Sequence, residues 1–283
     1  MIKDTSHKKI YGLIGYPVSH SLSRVMHNAA FQSLNINAEY RLFEVKPEDL
    51  DYFLGSMDKN IFGLNVTIPH KERILDFVHL DSESFYLRQI KAVNTIVKSN
   101  GVWKGFNTDI PGFQRDLKEN IDPTHKRAAI LGAGGAARAV AYVLADSGAK
   151  DIHLYDIDKR KSENIVNMIK SLFPNYQIFA VENIEQLDIR NKDLLINATP
   201  VGLSQTDPCL VKEGMLHKNL FVYDLIYNPL ETKLLALAKK VGARTRNGLK
   251  MLLYQGMLSF KLWTGENAPQ KIMWEALQKD LGK

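Results

Sequence analysis

At 283 residues, 45% of them apolar and 24% charged, the chain has the composition of a globular protein and not of a disordered or fibrous one; its length allows two domains at about 150 residues each. The net charge of +6 is mild, and the longest basic run, Lys159-Arg160-Lys161, reads as a solvated helix start, so no nucleic-acid partner is expected. No uncharged stretch approaches the roughly 20 residues of a membrane span, Pro17 breaks the N-terminal apolar run, and the single cysteine, Cys209, excludes an intrachain disulfide, so the expected location is cytoplasmic.

In chain order, Lys9–Ile14 predicts a short buried strand ending at Gly15 and Pro17. Ser23 is placed to cap a helix carrying Met26, Ala30 and Phe31. Tyr40–Val45 reads as a strand, Pro47 as the start of a helix with Leu50, Phe53 and Leu54, and Phe62–Val66 as a strand with Pro69 opening a helix after it. Val93–Lys98 and Val102–Gly105 flank Asn100-Gly101, a strong hairpin signal. Further on, Arg127–Leu131, Ile152–Asp156, Tyr176–Ala180, Leu194–Asn197 and Leu220–Asp224 read as strands. They alternate with helices over Ala136–Asp146, Ser162–Leu172 and Thr232–Val241. That alternation predicts a parallel sheet covered on both faces. Two last helices, Met251–Trp263 and Pro269–Leu281, have no strand between them and are expected to pack back on the first unit. The predicted class is α/β: a mixed α/β domain over residues 1–112, completed by 248–283, and a doubly wound Rossmann-type domain over 113–247.

The turn Gly132-Ala133-Gly134-Gly135-Ala136-Ala137 follows a strand and opens a helix. Gly132 permits a tight turn, Gly134 lets the backbone approach a pyrophosphate, and the helix N-terminus favours the phosphate charge. Asp156 ends the next strand, where an acid accepts hydrogen bonds from ribose hydroxyls. A flavodoxin-like turn is the competing reading. A carboxylate there welcomes a free 2′-hydroxyl and repels a 2′-phosphate, which favours NAD over NADP, although Lys159, Arg160 or Lys161 can reach toward a phosphate.

Asn65-Val-Thr-Ile-Pro-His-Lys71 and Gly105-Phe-Asn-Thr-Asp109 offer a lysine and a carboxylate. Reducing a ketone sends hydride to carbon and a proton to oxygen, and a positioned lysine supplies that proton. A lone lysine is more often a solvated surface group. The polar residues Asn65, Thr67, Asn94, Asn107 and Asp109, gathered at strand ends, argue for recognition of a small molecule. Ser21 and Ser23 beside a helix start can hold a carboxylate. The eight histidines, at 7, 20, 27, 70, 79, 125, 153 and 217, have no metal-ligand spacing, so no metal is expected.

Taken together the chain resembles the shikimate dehydrogenase family. The resemblance runs through His20-Ser-Leu-Ser23 with His27-Asn28, Asn65–Lys71, Ala92-Val-Asn-Thr95, Gly105–Asp109 and Gly132–Ala136. It continues through Asn197-Ala-Thr-Pro-Val-Gly202, Asp224-Leu-Ile-Tyr-Asn-Pro229 with Thr232, and Gly248-Leu-Lys-Met-Leu252 with Gln255. It implies reversible reduction of 3-dehydroshikimate to shikimate in aromatic amino acid biosynthesis. It implies Lys71 and Asp109 as the catalytic pair, Ser21 and Ser23 at the substrate carboxylate with Tyr227 near it, and Thr67, Asn94, Asp109 and Gln255 at ring hydroxyls, with Asn65 in the same substrate group. Gly132, Ala133, Gly134, Gly135 and Ala136 then hold pyrophosphate. Thr199 and Ile226 line the cofactor side, and Gly248 and Met251 approach the nicotinamide. Arg24, Lys91 and Ile110 depart from the family pattern in loops. Asp156-Ile157-Asp158 replaces the Asn-Arg-Thr of NADP-dependent members and resembles NAD-using quinate/shikimate dehydrogenases. A quinate dehydrogenase is therefore the alternative enzyme, and a dinucleotide-dependent sensor without catalysis the alternative from another class. A homodimer is compatible with either.

Overall fold

The computed structural model describes residues 8–80 and 87–282; His7 lies outside them. The chain folds into two compact units, one built from residues up to Thr108 together with those from Leu253 onward, the other from Asp109–Leu252. In chain order the first contributes β1 (Lys9–Gly15), α1 (Ser23–Ser33), β2 (Ala38–Glu44), α2 (Leu50–Gly55), β3 (Ile61–Val66), α3 (Leu87–Ile90), β4 (Thr95–Ser99) and β5 (Val102–Phe106). The second contributes α4 (Asp109–Lys118), β6 (Arg127–Leu131), α5 (Gly135–Asp146), β7 (Asp151–Tyr155), α6 (Lys159–Leu172), β8 (Ile178–Ala180), β9 (Leu194–Asn197), β10 (Phe221–Asp224), α7 (Lys233–Lys240) and β11 (Arg244–Asn247). Helix α8 (Leu249–Thr264) begins in the second unit and ends in the first, where α9 (Gln270–Asp280) follows.

The first sheet has the order β2-β1-β3-β4-β5. β1 lies parallel to β2 and β3, and β4 and β5 close the sheet as an antiparallel hairpin. Asn100 and Gly101 both take positive φ, as the two-residue turn between Ser99 and Val102 demands. Tyr11 of β1 stacks between Phe31 of α1 and Trp263 of α8, with ring centroids 5.3 and 5.2 Å away. The Trp263 indole N–H donates to the Ile96 carbonyl at 3.1 Å, so the C-terminal helices are part of this core. α9 packs on α1 through buried Met273 and Leu277.

The second sheet runs β11-β10-β9-β6-β7-β8 and is parallel throughout. This is the doubly wound order whose strand direction of growth reverses between β6 and β9, where such sheets bind ligands. Small buried residues along α5, Ala137, Ala139, Ala141 and Ala145 among them, let it lie close to the sheet. On the other side Leu195, Val222, Leu234 and Leu235 share one apolar cluster with Leu131. Among the described residues no helix is long and apolar enough to cross a membrane.

Several local expectations need correction. Ser23 does not cap α1: Leu22 holds the cap position with helical φ and ψ, and no side chain accepts there. A capping side chain needs an extended backbone at its own residue; Ser23 is already inside the helix. Instead the Ser21 hydroxyl accepts the Ser23 amide at 3.3 Å. Pro69 opens no α-helix. Residues 68–72 form a turn in which the His70 amide donates to Thr67, and only a 3-10 segment, Arg73–Phe77, follows. Pro47 likewise starts a 3-10 turn, Pro47–Asp49, that leads into α2. α3, α4 and β11 are additional elements.

Candidate functional site

In the first unit the functional candidates sit where β3 and β5 end and β4 begins. The register pairs Asn65 with Thr95 and Thr95 with Phe106, which brings these three chain ends to one edge of the sheet. Their buried polar side chains satisfy one another. The Asn65 amide group donates to Thr95 Oγ1 at 3.0 Å and Ser259 Oγ at 2.9 Å, and its oxygen accepts the Tyr40 hydroxyl at 2.8 Å. Asn94 Oδ1 accepts the Thr108 amide at 2.7 Å, and its Nδ2 donates to Thr108 Oγ1 at 3.0 Å. Thr108 Oγ1 lies 3.1 Å from Ser259 Oγ and 3.5 Å from Gln255 Oε1. So Asn65, Asn94 and Gln255 belong to one network. Thr95, Thr108, Ser259 and Tyr40 complete it, and the motifs alone did not single these out. Buried polar groups left without partners are costly, so a closed network of this kind fixes its members' orientations.

Lys71, half-buried, lies beside this edge. Its carbonyl accepts the Val93 amide at 2.9 Å, which ties the turn of residues 67–72 to the segment entering β4. His70 pins the turn from the other side. It is fully buried, and its Nε2 donates to the Val45 carbonyl at 2.7 Å. Burial pushes the His70 imidazole below its ordinary pKa. Thr67 is half-buried, and its amide donates to Ile14 at the end of β1. Ser21 and Ser23 stand together at the start of α1, Ser23 buried and Ser21 partly so. His27 is enclosed by aromatic rings: Tyr40 stacks on it at 4.5 Å and 11°, with Trp263 at 5.2 Å. Neither ring nitrogen has a hydrogen-bond partner, and burial drives its pKa down to about 3, so the ring is neutral.

In the second unit the β6–α5 turn has the form a pyrophosphate needs. Gly132 takes φ +94°, and a Cβ there would come within 2.9 Å of the Thr199 methyl and 3.0 Å of the Ala198 backbone. A Cβ at Gly134 would meet nothing within 4 Å, so the space above the turn is open. No side chain caps α5, which leaves its first amides available to an anion. Asp156 braces the turn: one carboxylate oxygen accepts the Ala133 amide at 2.7 Å and the other the Asp158 amide at 2.9 Å. Gly135 and Ala136 form the first turn of α5. The observed turn therefore fits a dinucleotide.

Two loops after β9 and β10 are locked together beneath this turn. Asn197 Oδ1 accepts both the amide and the hydroxyl of Thr199, at 3.0 and 2.7 Å, while its Nδ2 donates to Asp224 at 3.0 Å. Asp224 also accepts the Ile226 amide at 3.1 Å and the Thr232 hydroxyl at 2.6 Å. Burial holds its carboxyl above the usual carboxylate range, and these hydrogen bonds oppose that only in part. The Gly248 amide donates to Ile226 at 3.1 Å. Ile226 is buried, Tyr227 half-buried, and Met251 buried in the first turn of α8. Asp109, also buried, is the first residue of α4 and belongs to this unit, whereas Lys71 belongs to the first. Among the described residues no group of three or more His, Cys, Asp or Glu side chains is gathered as a metal site requires.

Known proteins match this arrangement along nearly the whole chain. The family profile described as the shikimate dehydrogenase substrate binding domain matches residues 13–96. The one described as the shikimate 5′-dehydrogenase C-terminal domain matches residues 248–278. The shikimate dehydrogenase (NADP(+)) of Methanopyrus kandleri is 44% identical over 280 residues, 96% of either chain. The crystal structure of shikimate dehydrogenase from Aquifex aeolicus superposes with a TM-score of 0.86 at 36% identity, covering 98% of this chain and 100% of that one. Shikimate 5-dehydrogenase from Listeria monocytogenes, solved in complex with shikimate and NAD, gives a TM-score of 0.83 at 36% identity, covering 98% and 99%. With these relatives, the fold is that of an oxidoreductase that acts on a CH–OH group with a nicotinamide dinucleotide. Identity of this level over almost the full length then fixes the relationship: the chain belongs to the shikimate dehydrogenase family.

Proposed function

We propose that the protein reduces 3-dehydroshikimate to shikimate, reversibly, in the biosynthesis of aromatic amino acids, and that it works in the cytoplasm. The observation that carries this reading is the closed network of Asn65, Asn94, Thr108 and Gln255 beside the Lys71 turn. It fixes the orientations of Asn94 and Gln255 at a sheet edge suited to a small polyhydroxylated ring. A bound nicotinamide dinucleotide supplies the hydride. Lys71 delivers the proton to the developing alkoxide oxygen and takes it back in reverse, and Asp109 orients the lysine or the substrate hydroxyl. Ser21 and Ser23 receive the substrate carboxylate, with Tyr227 near it. Thr67, Asn94 and Gln255 receive ring hydroxyls. Asn65, whose side chain is already bonded on all sides, holds the others in place. The first unit takes the substrate and the second the dinucleotide. Gly132 to Ala136 hold the pyrophosphate, Thr199 and Ile226 line the dinucleotide, and Gly248 and Met251 face its nicotinamide.

For the dinucleotide we propose NAD as the better partner. Asp156 is fixed by two backbone amides at the end of β7. Of the basic run beyond it, Lys159 pairs with Glu182, and Arg160 lies beside Asp158. Ile157, 94% exposed, stands where an arginine would serve a 2′-phosphate. Like charges at close range cost about 1–4 kcal/mol at effective dielectrics between those of water and a protein surface. The Methanopyrus kandleri relative is named for NADP(+), and the Listeria monocytogenes structure carries NAD. Initial rates with shikimate and with quinate, each with NAD and with NADP, test both parts. The expected order puts shikimate with NAD first by kcat/KM, and Asp156→Asn narrows the gap by helping NADP more than it harms NAD. Faster turnover of quinate would move the substrate assignment to the catabolic relative, and a native preference for NADP would end the reading of Asp156.

A further inference from the structure

We propose that Tyr223 and Arg246 are positioning residues for Asp109, acting through the buried carboxylate of Asp116 and the rigid helix α4. The inference rests on the reading of Asp109 as part of the proton-handling pair, and it concerns residues to which that reading gives no role.

Asp116 is fully buried, two turns along α4 from Asp109. Its carboxylate is held by groups from neighbouring strands. The Tyr223 hydroxyl on β10 donates to Oδ2 at 2.6 Å, and Arg246 Nε on β11 donates to Oδ1 at 3.0 Å. Arg246 Nη2 donates to Oδ1 as well, so the guanidinium grips through two nitrogens. Tyr223 and Arg246 are register partners on adjacent parallel strands, so their side chains leave the sheet on the same face. The ring of Tyr223 also meets Phe113 of α4 edge-on, with centroids 5.2 Å apart. Asn120, just past the helix, donates to Asp116 as well, at 3.3 Å.

The chemistry of this contact is unusual for a helix that only needs to be stuck to a sheet. Ile110, Phe113 and Leu117 already provide an apolar face. A buried ion pair adds little net stability over apolar packing, because desolvation of both charges offsets their attraction. What it adds is direction. Apolar contacts tolerate a slide or roll of the helix, whereas a two-nitrogen grip on a carboxylate and a short phenol hydrogen bond do not. Residues seven apart lie on one face of an α-helix, about 10 Å apart along its axis. Asp109 and Asp116 are such a pair, so clamping Asp116 sets both the roll and the axial position of Asp109. Misplacing a reacting group by about 1 Å can cost on the order of 100-fold in rate.

The test is a double-mutant cycle on the full-length enzyme. Tyr223→Phe removes one hydroxyl and keeps the ring against Phe113; Arg246→Lys keeps the charge and loses the fork. Each is made in the native and the Asp109→Asn backgrounds, with kcat, both KM values and urea midpoints measured. Tyr223→Phe is expected to lower kcat about tenfold and leave the dinucleotide KM within about twofold, with Arg246→Lys lower still. In the Asp109→Asn background neither should lower kcat further. Equal fractional losses in the two backgrounds would mean a general structural effect and overturn the inference, as would native kcat in both variants. Should Arg246→Lys fail to fold, Tyr223→Phe alone decides. Native turnover in Asp109→Asn alone would instead remove Asp109 from the mechanism and take this inference with it.

Discussion

A lysine can deliver a proton to one chosen oxygen only if its backbone is held still, and here that task falls to residues that share none of its chemistry. The Val93 amide holds the Lys71 carbonyl, and buried His70 holds the turn to Val45. Lys71→Ala should therefore leave the fold and dinucleotide affinity intact while turnover falls about 10²–10⁴-fold, the range for a general acid–base group. Near-native turnover would exclude Lys71, and calorimetry with the dinucleotide checks the second half. Buried His27 makes stability depend on pH. Its folded pKa of about 3 lies below the value near 6.5 of an unfolded histidine. The unfolded chain thus takes up a proton that the folded chain refuses. Stability is undiminished by this group above pH 6.5 and is lost as pH falls from there toward 3, by up to about 1.4 kcal/mol per pH unit. Urea unfolding between pH 7 and 4 should show a steeper loss in the native protein than in His27→Phe. Parallel slopes would mean that the ring finds a proton acceptor in the folded state.

At the scale of elements, the serines at α1 separate recognition from folding. Ser21 accepts an amide and Ser23 accepts none at the cap, so Ser21→Ala should cost about 0.5–1 kcal/mol of stability, and Ser23→Ala should lose no capping energy. Both should raise the shikimate KM if the pair receives a carboxylate; thermal unfolding and kinetics on the same preparations tell the two effects apart. The elements legible in the sequence were those whose local chemistry admits one solution. Asn100-Gly101 turns a hairpin, and Arg127–Leu131 running into Gly132 is a strand entering a glycine turn. β11 was illegible because Arg-Thr-Arg-Asn carries no apolar pattern; it is a strand because β10 offers it a free edge. α4 was illegible because Pro111 and Gly112 both disfavour a helix interior. Yet proline in a first helical turn forfeits no hydrogen bond, and Gly112 is buried. Nor does any local pattern reveal that Asn65 bonds Ser259, 194 residues away. The motifs named the polar residues, but only the folded chain shows which of them hold the others.

At the scale of the molecule, one chain makes the first unit from two separated segments and the second from the stretch between them. Each has its own sheet and core, and the C-terminal segment is built into the first core through Trp263 and Ser259. This has a spectroscopic consequence. The chain has three tryptophans, Trp103, Trp263 and Trp274, and all lie in the first unit. Intrinsic tryptophan emission is therefore a private reporter of that unit, and the second is dark to it. Far-UV circular dichroism sees the helices and strands of both. A ligand that binds only the folded second unit stabilises it by mass action. Saturating dinucleotide, added without substrate during urea unfolding, should raise the dichroism midpoint and leave the emission midpoint behind. If both midpoints rise together, the two units unfold as one cooperative block.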